Sequence, residues 1–105
     1  MEKTIFQKII DRELKADIVF ENKNIIAFKD INAIAPVHIL IVPKKYIDSI
    51  NSLQNEDKEI IGEMFIVAKD LAKELKIDES GYRTVFNTND DAGQTVYHIH
   101  LHLIG

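Results

Sequence analysis

Hydrophobic positions along this chain form several short runs and one long helical stretch. Ile5, Phe6, Ile9 and Ile10 share one helical face, and Thr4 with Gln7 has the form of a capping box. A short helix is therefore predicted over residues 4–12. Ile18-Val19-Phe20 and Ile25-Ile26-Ala27-Phe28 are β-branched or aromatic runs. The turn formers Glu21-Asn22-Lys23-Asn24 separate them, which predicts a hairpin. Residues 37–42 form a nearly continuous apolar run bounded by Pro36 and Pro43, the pattern of a central strand covered on both faces. Residues 44–53 read as a loop with one helical turn.

Residues 56–76 carry the clearest helical period, through Ile60, Ile61, Met64, Phe65, Val67, Ala68, Leu71, Ala72 and Leu75. Asn55 is the expected N-cap. Glu56, Asp57 and Glu59 suit the positive end of the helix dipole. The apolar stripe is wide enough to pack on a sheet and, in part, on a second subunit. Gly81 lies in the break that follows. Residues 83–87 read as another strand, residues 88–93 as a polar loop, and the remainder as a closing strand. This order predicts an α+β fold with a largely antiparallel sheet, in one domain spanning residues 1–105.

The closing strand carries the candidate chemistry. His98, His100 and His102 recur at two-residue spacing, so in a strand they share one face while Ile99, Leu101 and Leu103 point into the core. Such a row supports metal binding, or nucleophilic attack on phosphorus by imidazole. Histidines on an exposed face with no task are the bland reading. The Gly93-Gln94-Thr95 turn tilts the choice toward phosphate, because it offers backbone N–H groups and a hydroxyl as anion donors. Asp90 and Asp91, the nearest carboxylates in sequence, read as turn residues.

Composition narrows the partners. The 105 residues are 46% hydrophobic and 29% charged, with a net charge of -4, which disfavours general nucleic-acid binding. The absence of cysteine removes disulfides, thiolate metal sites and a thiol nucleophile. No apolar run reaches the length of a membrane span, and Met1-Glu2-Lys3-Thr4 has no apolar signal region, so a cytoplasmic location is the default expectation.

The segment His98-Ile99-His100-Leu101-His102-Leu103-Ile104 resembles the pattern that names the histidine triad (HIT) superfamily of nucleotide hydrolases and transferases. Thr4-Ile5-Phe6, Ile18-Val19-Phe20-Glu21, Ala27-Phe28-Lys29-Asp30-Ile31, Ala35-Pro36-Val37-His38, Val42-Pro43-Lys44-Lys45, Gly81-Tyr82-Arg83 and Gly93-Gln94-Thr95-Val96-Tyr97 extend the resemblance along the whole chain, to the Hint branch of histidine triad nucleotide-binding proteins. The resemblance implies the HIT fold: a mostly antiparallel sheet, one long helix and a short N-terminal helix. It also implies a homodimer in which two sheets join through the strand at residues 37–43 and the long helix.

The implied activity is cleavage of nucleoside 5′-phosphoramidates, with purine nucleoside monophosphate as product and no metal or cofactor. By resemblance His100 is the nucleophile that forms a nucleotidyl-histidine intermediate. His102 contacts the phosphate and assists the leaving group, while His98 and His38 act as a supporting pair. Asn87, Gly93, Gln94 and Thr95 match the phosphate-binding set, and Asp30 the carboxylate that takes the ribose hydroxyls. Leu14, Phe28 and Ile31 match the apolar walls of the base pocket. Phe6 and Phe20 are candidates to lie beside them, with core packing the favoured reading for both. Lys29 stands beside the base and ribose where many Hint proteins carry histidine, and relatives continue past the position of Gly105 with a short tail. Dinucleoside polyphosphate hydrolysis of the Fhit type is the rival enzyme reading. A nucleotide-binding or scaffold protein is the rival of another class.

Overall fold

A computed structural model describes residues 2–105. Thr4 caps α1 (Ile5–Ile10): its side chain accepts the Gln7 N–H, while the Gln7 side chain accepts the Thr4 N–H. The hairpin of β1 (Ile18–Glu21) and β2 (Ile25–Lys29) turns on Asn22, whose Oδ1 accepts the N–H groups of Asn24 and Ile25 at 2.9 and 2.8 Å. The strand β3 (His38–Pro43) is buried along its whole length, as its unbroken apolar run predicts. A 3-10 turn at Asn55–Asp57 leads into α2 (Lys58–Glu74). Asn55 lies inside that turn, so it is not the cap. Gln54 and Asp57 form the capping box instead, and Asp57 is held by Lys45 as well. The chain ends in β4 (Arg83–Val85) and β5 (Leu101–Ile104).

The five strands form one antiparallel sheet in the order β1-β2-β3-β5-β4. One face packs on α2: Ile25, Ala27, Ile39, Ile41, Leu101 and Leu103 meet Met64, Val67, Ala68, Leu71 and Ala72. On the other face Ile26, Phe28, Leu40 and Val42 meet Phe6 and Ile9 of α1. Burying one such side chain contributes about 2 kcal/mol, so α1, with only two buried anchors, holds its place less firmly than α2.

Two expectations need correction. The strand at residues 37–43 cannot join a second sheet, because β3 is already paired on both sides, with β2 and with β5. The free edges belong to β1 and β4. The histidine strand is also shorter than its alternation suggests, since the ladder begins only at Leu101. The partner strand explains this: β3 ends at Pro43, which has no N–H to give, and the Pro43 carbonyl turns to the His98 ring instead. His98, in a bend over residues 96–98, and His100 therefore stand just outside the sheet. There the Ile99 N–H is satisfied by the Ile47 carbonyl at 2.7 Å. No helix among the described residues is long and apolar enough to cross a membrane.

Candidate active site

The sheet face that carries α1 also carries a cleft of about 670 Å³. Phe6, Ile9, Leu14, Phe28 and Leu40 give it apolar walls, Asp30 and Ile31 stand at its rim, and Thr95, His100 and His102 close one end. Leu14, Phe28, Lys29, Asp30, Ile31, Thr95, His100 and His102 were thus all legible as candidates and all meet here. Phe6 does both tasks weighed for it. It is buried, and its ring packs edge-on to His100 with centroids 4.9 Å apart while lining the cleft. Phe20 packs against the α2-side core instead. Leu40 and Ile9 were not singled out from sequence. Leu40 could have been, since it lies two residues from His38 on the same strand face.

Each histidine is oriented by a definite partner. His100 Nδ1 donates to the His98 carbonyl at 2.8 Å. The ring must then be the Nδ1–H tautomer when neutral, which leaves an Nε2 lone pair at the cleft. His98 Nε2 donates to the Pro43 carbonyl at 2.7 Å, and its Nδ1 is buried without a partner. The His98 ring is walled by Phe6 and Tyr46.

His38 Nδ1 accepts the Ile34 N–H at 3.2 Å, so His38 carries its proton on Nε2. That Nε2 lies 2.9 Å from His102 Nδ1 and 3.3 Å from Asp30 Oδ2. Donation to the nearer acceptor fixes His102 as the Nε2–H tautomer. His38 therefore pairs with His102 and not with His98, a correction to the expected supporting pair. The two partners are 64 residues apart in sequence, and the β3–β5 register brings them together.

Asp30, His38 and His102 present possible ligand atoms within 4.8 Å of one another, the grouping of a metal site. Their hydrogen bonds assign other work. A metal on His38 Nε2 requires a proton on Nδ1, and Nδ1 already accepts from Ile34.

Burial lowers the pKa of His98 and of His100 from the ordinary histidine value. His102 is lowered to about 4, first by burial and then by the neighbouring His100 and His38. These three rings are neutral at pH 7, as the tautomer assignments require.

Asn87, Gly93 and Gln94 do not line the cleft. Gln94 is buried, and its side-chain amide is fully engaged by backbone: it accepts the Asn89 N–H at 2.9 Å and donates to the Asp48 and Val96 carbonyls at 2.7 and 3.1 Å. Asn89 needs that hold, since φ 66° and ψ -179° lie in a region proper to glycine. Gly93, at φ 84°, closes the same loop. The Gln94 main-chain N–H is also taken, by the Asn89 carbonyl at 3.1 Å, so Gln94 has no free donor for an anion.

An antiparallel α+β protein with a buried histidine cluster at the end of an apolar cleft is the class that fold and site define. A family profile described as scavenger mRNA decapping enzyme C-term binding matches residues 3–105. Purine nucleoside phosphoramidase of Escherichia coli (strain K12) is 47% identical over 104 residues, covering 99% of this chain and 87% of that protein. Among solved structures, a HIT family hydrolase from Legionella pneumophila Philadelphia 1 superposes with a TM-score of 0.96 at 50% identity, over 98% of this chain and 92% of that one. A histidine triad nucleotide-binding protein from Candida albicans gives 0.87 at 33%, over 96% and 73%. The chain belongs to the histidine triad (HIT) family.

Proposed function

We propose that this protein hydrolyses purine nucleoside 5′-phosphoramidates, with His100 as nucleophile. The observation that carries the reading is the His100 Nδ1 bond to the His98 carbonyl, which holds an unprotonated Nε2 at the end of a nucleoside-sized cleft. The lone pair of Nε2 forms a bond to phosphorus as the P–N bond breaks. His102 directs its Nε2–H at the phosphoryl group and the departing nitrogen, oriented by His38. The nitrogen leaves as amine with one proton from the medium. Water then attacks phosphorus, the bond to His100 breaks, and a proton returns to the medium. The sum is substrate plus water giving monophosphate plus amine.

The base would lie among Phe28, Leu14 and Ile31 beside Leu40 and Phe6. Asp30 would accept from the ribose hydroxyls with Oδ2, because its Oδ1 already accepts the Asn32 N–H at 2.8 Å. Thr95, which lines the histidine end of the cleft, would meet the non-bridging oxygens, while Gly93 and Gln94 give their N–H groups to the Asp90 and Asn89 carbonyls and so shape the loop that presents it. The similarity to the Escherichia coli phosphoramidase supports the substrate class. The functional unit we infer is a homodimer through α2 and the β4 edge: Phe65, Ile66 and Leu75 are exposed on or beside α2, and β4 has one unpaired side.

Incubation with adenosine 5′-phosphoramidate in the presence of a chelator should release AMP. A sample quenched in base or denaturant should contain protein carrying one adenylyl group, and His100→Ala should do neither. Turnover by His100→Ala equal to that of the parent would remove His100 from the role. A dinucleoside triphosphate in the same assay tests the Fhit-type reaction.

A further inference from the structure

We propose that Arg83 forms the leaving-group subsite and selects amines that carry a carboxylate, so that the preferred substrates are nucleoside 5′-phosphoramidates of amino acids. This rests on the phosphoramidase reading above. The sheet register supplies the geometry. In β4 and β5, Arg83 lies opposite Ile104, Thr84 opposite Leu103, and Val85 opposite His102. Residues directly opposite in an antiparallel pair share a face. Leu103 belongs to the core under α2, so Arg83 and Val85 project from the other face, the one that holds the histidines. His38 also lies opposite Ile104, from the β3 side. Arg83, Ile104 and His38 thus form one row across the face, with adjacent strands about 4.8 Å apart. Val85, His102 and Leu40 form the next row.

The apolar cleft leaves the histidines toward β2 and α1. A nucleoside in it directs the leaving group the opposite way, over His102 toward β4. The surface there is apolar at Ile104 and Val85, both partly exposed, and ends at an exposed guanidinium. Among the described residues, the Arg83 guanidinium makes no ion pair and no side-chain hydrogen bond, a freedom it shares with several surface lysines, whereas Arg12, the other arginine, is paired with Glu21. The Arg83 charge is among those that hold the His102 pKa down, which places it within electrostatic reach of the reacting group. An apolar floor ending in a free, planar cation fits an amino acid linked through its nitrogen: the side chain lies on the floor and the carboxylate takes the guanidinium in bidentate fashion. Pairing of a second copy along the β4 edge would engage backbone groups and set the partner's own strand beside this face.

The test compares two substrates, the adenosine 5′-phosphoramidate of alanine and that of alaninamide. The amide removes the charge, keeps the shape and serves as each protein's own reference. The acid-to-amide ratio of kcat/KM should be about tenfold in the parent, the range of a charge-assisted hydrogen bond, and near one in Arg83→Gln. Arg83→Lys should recover part of it. A merely structural role for Arg83 would lower both rates and keep the ratio. The same ratio in parent and Arg83→Gln, or no preference in the parent, overturns the proposal. The same comparison is read as Kd in His100→Asn, with and without Arg83→Gln. Absence of all turnover by the parent would refute the phosphoramidase reading, whereas the Kd ratio decides the part played by Arg83 in either case.

Discussion

Replacing Gln94 by leucine should destabilise the protein far more than removal of one polar side chain ordinarily does. The buried amide makes three hydrogen bonds, all to backbone: Asn89 N–H, Asp48 carbonyl and Val96 carbonyl. Leucine keeps the approximate volume and leaves three backbone groups without their partner. At about 1 kcal/mol for each bond, the loss is about 3 kcal/mol. Unfolding entropy for a domain of this length is about 0.2 kcal/mol per degree, so Tm should fall by roughly 14 °C. Asn89→Gly should act in the opposite sense. It relieves the backbone at φ 66° and ψ -179°, and the gain is about 1 kcal/mol after the greater freedom of glycine in the unfolded chain is set against it. In the Gln94→Leu background that gain should shrink, because the loop is free to leave the strained conformation. The assay is urea unfolding of the four proteins of this cycle, at one protomer concentration so that association does not shift the midpoints. A loss under about 1 kcal/mol for Gln94→Leu would refute the reasoning, since the amide would then not be holding the loop. Strict additivity of the two changes would refute the link to Asn89.

Acidification should weaken the fold. The pKa values of His98, His100 and His102 are lowered in the folded state, so the unfolded chain binds more protons below the ordinary histidine value. Their contribution is complete above about pH 6.5 and is lost as pH falls, reaching for His102 down to about 4. The urea midpoint should drop across that window, and a flat profile would contradict it. Phe65→Asp should shift the protein toward monomer by light scattering, because Phe65 packs against Phe86 yet is 42% exposed on α2; an unchanged mass would exclude that face as the contact. His38→Phe should slow formation of the adenylylated intermediate without abolishing it, since His38 orients His102, which assists the departing nitrogen, and does not touch His100 Nδ1; rapid-quench mass spectrometry follows that step directly.

Much of this was legible in sequence because it depends on local pattern. The run at residues 37–42 could only be a strand covered on both faces, and the period of Met64, Val67, Ala68 and Leu71 could only be a helix on that sheet. The capping box at Thr4 is a four-residue motif. The extent of β5 was not legible, because it is set by a proline on another strand. Nor was the pairing of His38 with His102, which depends on strand order. Gln94 was read by its neighbours as an anion ligand; its amide is used by the backbone of its own loop and of residue 48, contacts that no spacing encodes.

The tautomer of His100 is set by the carbonyl two residues earlier in the chain. That of His102 is set through Ile34 and His38, across a strand pairing. The nucleophile therefore carries its orientation within a tripeptide, while the hydrogen-bond donor to the leaving group borrows its orientation from the tertiary structure. Loosening of the sheet should disable the donor first and leave an enzyme whose nucleophile is still correctly oriented but whose P–N cleavage is slow.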